Sequence, residues 1–399
     1  MGQEGVNALN ADEAAIEAGF IDRRGRSEFF LVCIVGFLFS FTQSYSSLLA
    51  IVFERSGHSL PDAGLLLGLF AVPATLSALL SSAICARFGI LPTVRMAIFL
   101  TMIGMASFIW TRESFWLALL SRLVQGAGVG MFLPAAMVYS QSRINKRRFV
   151  YLVTVFSAVI PLASIAPPLG AWTLERFGYV ALFAEASIPS AIAILITYSL
   201  RATARPESTG GLNLGVGLQS RLLLPYATIM IGGMLYGYST SYLAADLHQR
   251  AIALAAFFVP SSIAIVAMRF AAMRVLSATA LPTLVFASLV IFAFGFALIA
   301  LASGPLVMIV GALAFGIGNS IMLPVVASWV VEGLEPEQRP GPQAINISAF
   351  YLGLYGAPYP VAHLIGAVGY VWTEWILAGI ALAMSIVVIA IVSAMRRRD

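Results

Sequence analysis

Long apolar runs and short polar segments alternate along the chain, and the apolar runs number twelve. They fall at 29–53, 60–83, 94–110, 115–140, 149–172 and 180–200, then at 222–245, 251–268, 278–301, 305–330, 342–365 and 371–394. Crossing the hydrocarbon core as a helix takes about 20 apolar residues, and each run approaches or exceeds that length. The pattern predicts an all-α membrane protein of 12 transmembrane helices, called spans 1 to 12 below. The spans divide into two six-helix bundles, 29–200 and 222–395. A Gly-, Ser- and Arg-containing segment at 201–221 reads as a flexible linker, with polar tails at 1–28 and 396–399.

Charge placement supports this count. Of the 23 Lys and Arg residues, Arg122 lies inside span 4 and Arg55, Arg112, Arg176 and Arg250 fall on the face opposite the termini. The other eighteen, Arg269 and Arg274 among them, are assigned to the tails and the loops on the terminal face. Basic residues gather on the cytoplasmic side of a membrane protein. Both termini are therefore expected in the cytoplasm, with the chain in the inner membrane of a bacterial cell.

The two sixes also repeat. Gly126, Gly128 and Pro134 of span 4 recur as Gly316, Gly318 and Pro324 of span 10. Val72-Pro73 recurs as Val259-Pro260, Tyr45-Ser46 as Tyr238-Ser239, and Gly178-Tyr179-Val180 as Gly369-Tyr370-Val371. Both halves start on the same face, so the repeat is parallel about an axis along the membrane normal. Spans 4 and 10 are expected to face each other across a central pathway, and the glycines after Arg122 to form a groove on one helix face.

Composition closes off other classes. With 60% hydrophobic and 10% charged residues the chain cannot cover itself with a polar surface. The net charge of +5 reflects orientation in the bilayer and points to no nucleic-acid partner. Two cysteines, Cys33 and Cys85, make neither a disulfide framework nor a CxxC metal site. The first 27 residues lack the basic and apolar regions of a signal peptide. No nucleotide-binding loop and no catalytic constellation occurs, so neither an enzyme nor a resident cofactor is expected.

Several stretches resemble the major facilitator superfamily of secondary transporters. Arg122-x-x-Gln125-Gly126-x-Gly128 matches that family's signature on its fourth helix. The loop Ala86-Arg87-Phe88-Gly89-Ile90-Leu91 is a degraded form of its Asp-Arg-x-Gly-Arg-Arg latch: Arg87 and Gly89 match, whereas Ala86, Ile90 and Leu91 do not. Pro167 and Gly170, within Ala166-Pro167-Pro168-Leu169-Gly170-Ala171, resemble the signature of the antiporter branch. The resemblance implies a monomeric transporter that moves a small-molecule substrate across the lipid bilayer by alternating access, coupled to a proton gradient. Efflux of drugs or metabolites, import of a riboflavin-like vitamin or of copper, and a sensor or scaffold on the same fold remain alternatives.

The candidate site follows from polar residues at membrane depth. An arginine inside a span is a functional candidate, so Arg122 heads the list, with Gln125 one turn away. Its bland alternative is an arginine that snorkels to helix-terminal carbonyls. Gln43, Tyr45, Tyr236, Tyr238, Asn319, Asn346, Tyr351 and Tyr355 are expected to line the pathway and to suit a flat or amphipathic organic solute. Glu185, Glu374 and His363 are candidate proton carriers beside Arg122; solvation at the membrane interface is the plainer role for the two glutamates. Arg87, Gly89, Gly126, Gly128, Pro167 and Gly170 are candidates for gating and helix packing. Met230 and Met234 lie one turn apart and form a soft-metal spacing, for which ordinary packing is the plainer reading.

Overall fold

In hydrocarbon every backbone N–H and C=O must be paired within the protein, which leaves helices as the solution for apolar runs of this length. The computed structural model describes residues 19–144, 149–202, 214–275, 280–335 and 338–395. Among these the only strand-like feature is an isolated bridge between Phe20 and Ile144. Lys146, Arg147, Arg148, Arg205, Arg396, Arg397 and Arg398, residues 203–213 of the linker and residues 1–18 of the N-terminal tail lie outside the described residues.

Nine helices among the described residues are long and apolar enough to cross a membrane, and two of these are double. Leu152–Thr197 breaks at Gly178 (φ 78°, ψ −171°), and Gly341–Ala394 breaks at Gly369 (φ 81°, ψ 171°). A side chain at either glycine would meet nothing within 4 Å, so the backbone conformation, not space, calls for glycine. Dividing both at these breaks and adding the helix Ala255–Val275 restores all twelve spans. The repeated Gly-Tyr-Val is thus the corner between spans 5 and 6 and again between spans 11 and 12.

Five spans are interrupted inside the bilayer, which apolar runs alone do not predict. Span 1 passes from Arg23–Ser44 through a 3₁₀ turn, Tyr45–Leu48, into Leu49–Arg55. Span 2 steps from Leu60–Gly68 to Ala71–Phe88, and span 5 from Phe149–Val159 through Ile160–Ile165 to the helix that begins at Ala166. Span 7 breaks between Leu223–Ser241 and Leu243–Gln249, and span 11 between Pro340–Gly356 and Pro358. Irregular backbone at this depth is tolerated only where it is buried or lines a cavity.

The glycines set how closely spans approach. A Cβ on Gly126 would lie 2.8 Å from Phe70 O, and one on Gly130 would overlap Ala74 O, both on span 2. On Gly128 it would lie 2.5 Å from Ala97 O of span 3. The glycines therefore form no groove on one face, as the sequence suggested; they seat two different neighbours on two faces. Span 10 repeats the arrangement: a Cβ on Gly316 would lie 2.5 Å from Ser261 O of span 8, and one on Gly318 3.0 Å from Ser288 O of span 9. Small residues at such crossings let backbones approach and gain dispersion contact.

The halves meet along two seams. In one, Gly64 packs on Ala362 and the Phe70 ring lies 4.5 Å from that of Tyr355, joining span 2 to span 11. In the other, Ser262 donates to Pro161 O over 2.8 Å and Arg269 donates to Ser157 O, joining span 8 to span 5. Away from the termini, His248 adds contacts to Arg55 at 3.0 Å and to Glu175 at 3.6 Å. Trp110 (77% exposed) and Trp116 (75% exposed) ring this same end, as interfacial tryptophans do.

At the terminal face, buried Glu28 on span 1 meets Arg143 at 3.0 Å and Arg201 at 2.8 Å, tying the ends of spans 1, 4 and 6 together. Asp22 caps span 1 by accepting from Gly25 N–H and meets Arg201 at 3.3 Å. These two partners, Gly25 first, hold the Asp22 carboxyl below its ordinary value.

Candidate functional site

A cavity of about 200 Å³ lies where the interrupted spans converge, walled by residues of both halves. Ser46 and Ser47, Pro161 and Ser164, Ser241, and Pro358 come from the irregular segments or their edges, which accounts for the broken backbone at this depth. Gln43 and Arg122 line it from the first half; Tyr236, Tyr351 and Tyr355 line it from the second.

Arg122 is 3% exposed. Its Nη1 donates to Gln125 Oε1 over 2.5 Å, and the Gln125 amide donates on to Gln43 Oε1 over 3.1 Å. The guanidinium lies over the Phe70 ring, 4.2 Å from its centroid, a cation–π contact that replaces part of its lost hydration. Its Nε has no hydrogen-bond partner, and no carboxylate forms an ion pair with it among the described residues. Arg122 does not snorkel to helix-end carbonyls; it faces the cavity.

Other sequence candidates fall elsewhere. Tyr45 and Tyr238 turn away from the cavity and donate to carboxylates of their own halves, Tyr45 to Glu185 Oε1 at 2.6 Å and Tyr238 to Glu374 Oε1 at 2.8 Å. Glu374 is no solvated interface group, whereas Glu185 is half-buried. Glu374 is fully buried and pairs with Arg250 at 2.6 Å; Arg250 in turn holds buried Asp246 at 2.8 Å. Gly170 backs this arrangement, since a Cβ there would lie 2.5 Å from the Tyr45 ring. Pro167 lines the cavity itself.

Asn319 is half-buried and Asn346 is buried with an unpartnered Oδ1, but neither lines the cavity. Span 10 supplies none of the cavity wall, so spans 4 and 10 do not confront each other across it as expected. His363 is exposed on span 11, bonded to Tyr359 O at 3.1 Å, which removes it from the pathway. Met230 is exposed and Met234 half-buried, and neither reaches the cavity. Arg87 is exposed, stacked on neighbouring Phe88 at 5.4 Å, and Gly89 (φ 94°) supplies the turn between spans 2 and 3.

Three residues escaped the sequence reading. Arg269 was assigned to a loop, yet span 8 continues to Val275 and carries it inside. The signal was present in Phe270-Ala271-Ala272, which prolongs the apolar run past the charge. Asp246 and Arg250, four residues apart, sit on the last turn of span 7. That i,i+4 spacing is legible, but their link to Glu374, 124 residues on from Arg250, is not.

A family model for the Major Facilitator Superfamily matches residues 29–278. The chain belongs to this superfamily. Solved structures with the same fold include the xylose transporter XylE from E. coli in an inward open conformation, at TM-score 0.76 and 14% identity, covering 91% of this chain and 95% of that one. The nucleoside transporter NupG follows at 0.73 and 14%, covering 91% and 98%. The E. coli fucose:proton symporter FucP aligns at 0.61 and 16%, covering 90% and 97%. Among curated proteins none matches the sequence. The superfamily member described here is an integral membrane transporter.

Proposed function

We propose that this superfamily member is a secondary transporter that carries a small organic solute through the central cavity by alternating access. The observation that carries the reading is the cavity's shared wall, with Gln43 and Arg122 in one half and Tyr236, Tyr351 and Tyr355 in the other. When the halves rock against each other such a wall parts on one side at a time, and a solute held at its centre is exposed to each face in turn. The protein acts as a monomer in the cytoplasmic membrane, with both termini inside.

Protons are the coupling ion this chain is best equipped to use. Asp246 and Glu374 are two buried carboxylates that share one arginine. Burying a net negative charge is costly, so the cluster favours holding one proton. Tyr238 bonds Glu374 and stands on span 7, two residues past Tyr236 of the cavity wall, so occupancy of the cavity and the proton share one span.

The test is uptake by proteoliposomes of xylose, a nucleoside, an organic anion and a cationic dye, with and without an imposed pH gradient. Gradient-driven movement of one of them, lost in Glu374→Gln, is the expected result. Equal uptake with and without the gradient would remove the proton. A cysteine placed at Ser46 on the cavity wall and labelled by impermeant reagent from one face only would remove alternating access.

A further inference from the structure

Buried and half-buried arginines are not treated alike in this fold. At the terminal face Arg143 and Arg201 are given Glu28, and in the second half Arg250 is given both Asp246 and Glu374. Elsewhere an arginine that holds spans together is given either a carboxylate or, like Arg95 at Thr197, a hydroxyl and a carbonyl oxygen to bond. Arg122 is the exception on the cavity wall: it has the neutral oxygen of Gln125, the face of Phe70 and an Nε with nothing to bond. Arg269, on span 8, is bonded to the Ser157 backbone at the seam and does not line the cavity. Among the described residues no Asp or Glu lines the cavity. A guanidinium held at this depth without a counter-charge is costly, and an anion arriving in the cavity would relieve that cost.

The rest of the wall selects the body that carries the charge. Phe350, Tyr351 and Tyr355 offer ring faces and edges from span 11, and Phe39 and Phe132 face them from spans 1 and 4. About 200 Å³ is close to the roughly 150 Å³ of an apolar cavity that accepts benzene. The size suits one ring with a small substituent.

We infer that the cavity takes a single-ring organic carboxylate, its charge set against Arg122 and its ring among the span 11 aromatics. This deepens the transport reading and rests on it for the site's role, but the chemistry can be tested by binding alone. A carboxylate accepts from two N–H groups of one guanidinium edge at once, which a neutral amide or a cation cannot do. Phenyl phosphate brings a second negative charge, and among the described residues Arg122 is the only cation on the wall.

The experiment uses the full chain in lipid nanodiscs and titrates benzoate, benzamide, benzylamine and phenyl phosphate. Benzoate is expected to bind about tenfold or more tightly than benzamide, the difference one charge-assisted contact makes. Benzylamine should be weakest and phenyl phosphate weaker than benzoate. In Arg122→Gln, which keeps a polar side chain of reduced length, the benzoate preference should fall to about twofold or less, and in Arg122→Lys it should survive in part. Wild-type discrimination alone decides the case if a variant fails to fold. Benzamide or benzylamine binding as well as benzoate would overturn the inference, as would phenyl phosphate binding best. So would a preference that persists in Arg122→Gln, or no binding by any of the four. Labelling of a cysteine at Ser46 from both faces needs no ligand, so the anion can fail while alternating access stands. Labelling from one face only, with benzoate bound, is the reverse.

Discussion

The Tyr238 hydroxyl donates to Glu374 Oε1 over 2.8 Å, and Tyr45, its counterpart in the repeat, donates to Glu185 Oε1 over 2.6 Å. The two pairs occupy matching places and tie span 7 to span 12 as span 1 is tied to span 6. They differ in charge, because Arg250 and Asp246 join only the second pair. Removing the arginine strands two buried carboxylates; removing Glu374 leaves Arg250 with Asp246. Arg250→Gln should therefore cost about 3–5 kcal/mol of stability. Glu374→Gln should cost clearly less, and the double substitution should recover part of the arginine's loss. Thermal unfolding of the four proteins in one detergent checks the order. A larger loss for Glu374→Gln than for Arg250→Gln would be incompatible with this charge balance.

Gly128 and Gly178 are both needed, for opposite reasons. A Cβ on Gly128 would stand 2.5 Å from Ala97 O, whereas one on Gly178 meets nothing but must accept φ 78°. Gly128→Ala should cost about 1–3 kcal/mol through overpacking. Gly178→Ala should cost about 1–3 kcal/mol through backbone strain alone. Enlarging further separates the two: Gly128→Leu should prevent folding, while Gly178→Leu should resemble Gly178→Ala. Folded yield by size exclusion reads the difference directly.

Acid should weaken the terminal face through Asp22. Its carboxyl is held below the ordinary value by Gly25 N–H and then by Arg201. A depressed carboxylate contributes stability above its unfolded value, and that contribution disappears as pH falls through the folded value. The loss therefore begins below about pH 4. Asp22→Asn should flatten the stability curve below that point and change its slope little above it. At 38% exposure the side chain is well screened, so the effect should be small beside that of Glu28→Gln, which strips buried Arg143 of its partner. Unfolding midpoints across this pH range measure both.

Twelve spans, the half-repeat and the buried Arg122 were legible because each rests on short-range signals: run length, local motif, one charge in an apolar field. The direction in which Tyr45 and Tyr238 point was not. Inside a membrane an apolar run has no wet face, so it says little about rotation about the helix axis. A charge in the sequence reads as the end of a span, but a cation that finds Ser157 O, as Arg269 does, can remain within one. The breaks at Tyr45–Leu48 and Ile160–Ile165 also escaped notice. Pro161 and Pro167 mark missing donors, but which carbonyls are left to face a cavity depends on the other half.

The tie from Arg269 to Ser157 O should govern how readily the terminal-face side of the seam parts. Arg269 stands on span 8 and Ser157 on span 5, so the bond crosses between halves, as does Ser262 to Pro161 O at 2.8 Å. Span 5 leaves the terminal face near Phe149, which puts Ser157 about 12 Å into the bilayer on the terminal side of the cavity. On the other side the halves are held by Gly64 against Ala362 and by His248 between Arg55 and Glu175. Rocking requires one set to release while the other holds. A hydrogen bond from a charged donor contributes about 1.5–3 kcal/mol, so losing it should shift the population toward opening at the terminal face by roughly tenfold or more. Spin labels at Arg87 and Arg339, exposed and one in each half, report that opening. In Arg269→Ala their distance distribution should gain a longer component. In Gly64→Val, where the added side chain collides with Ala362 and loosens the opposite face, the shorter component should grow. If Arg269→Ala leaves the distribution unchanged, the bond to Ser157 holds spans together without gating them.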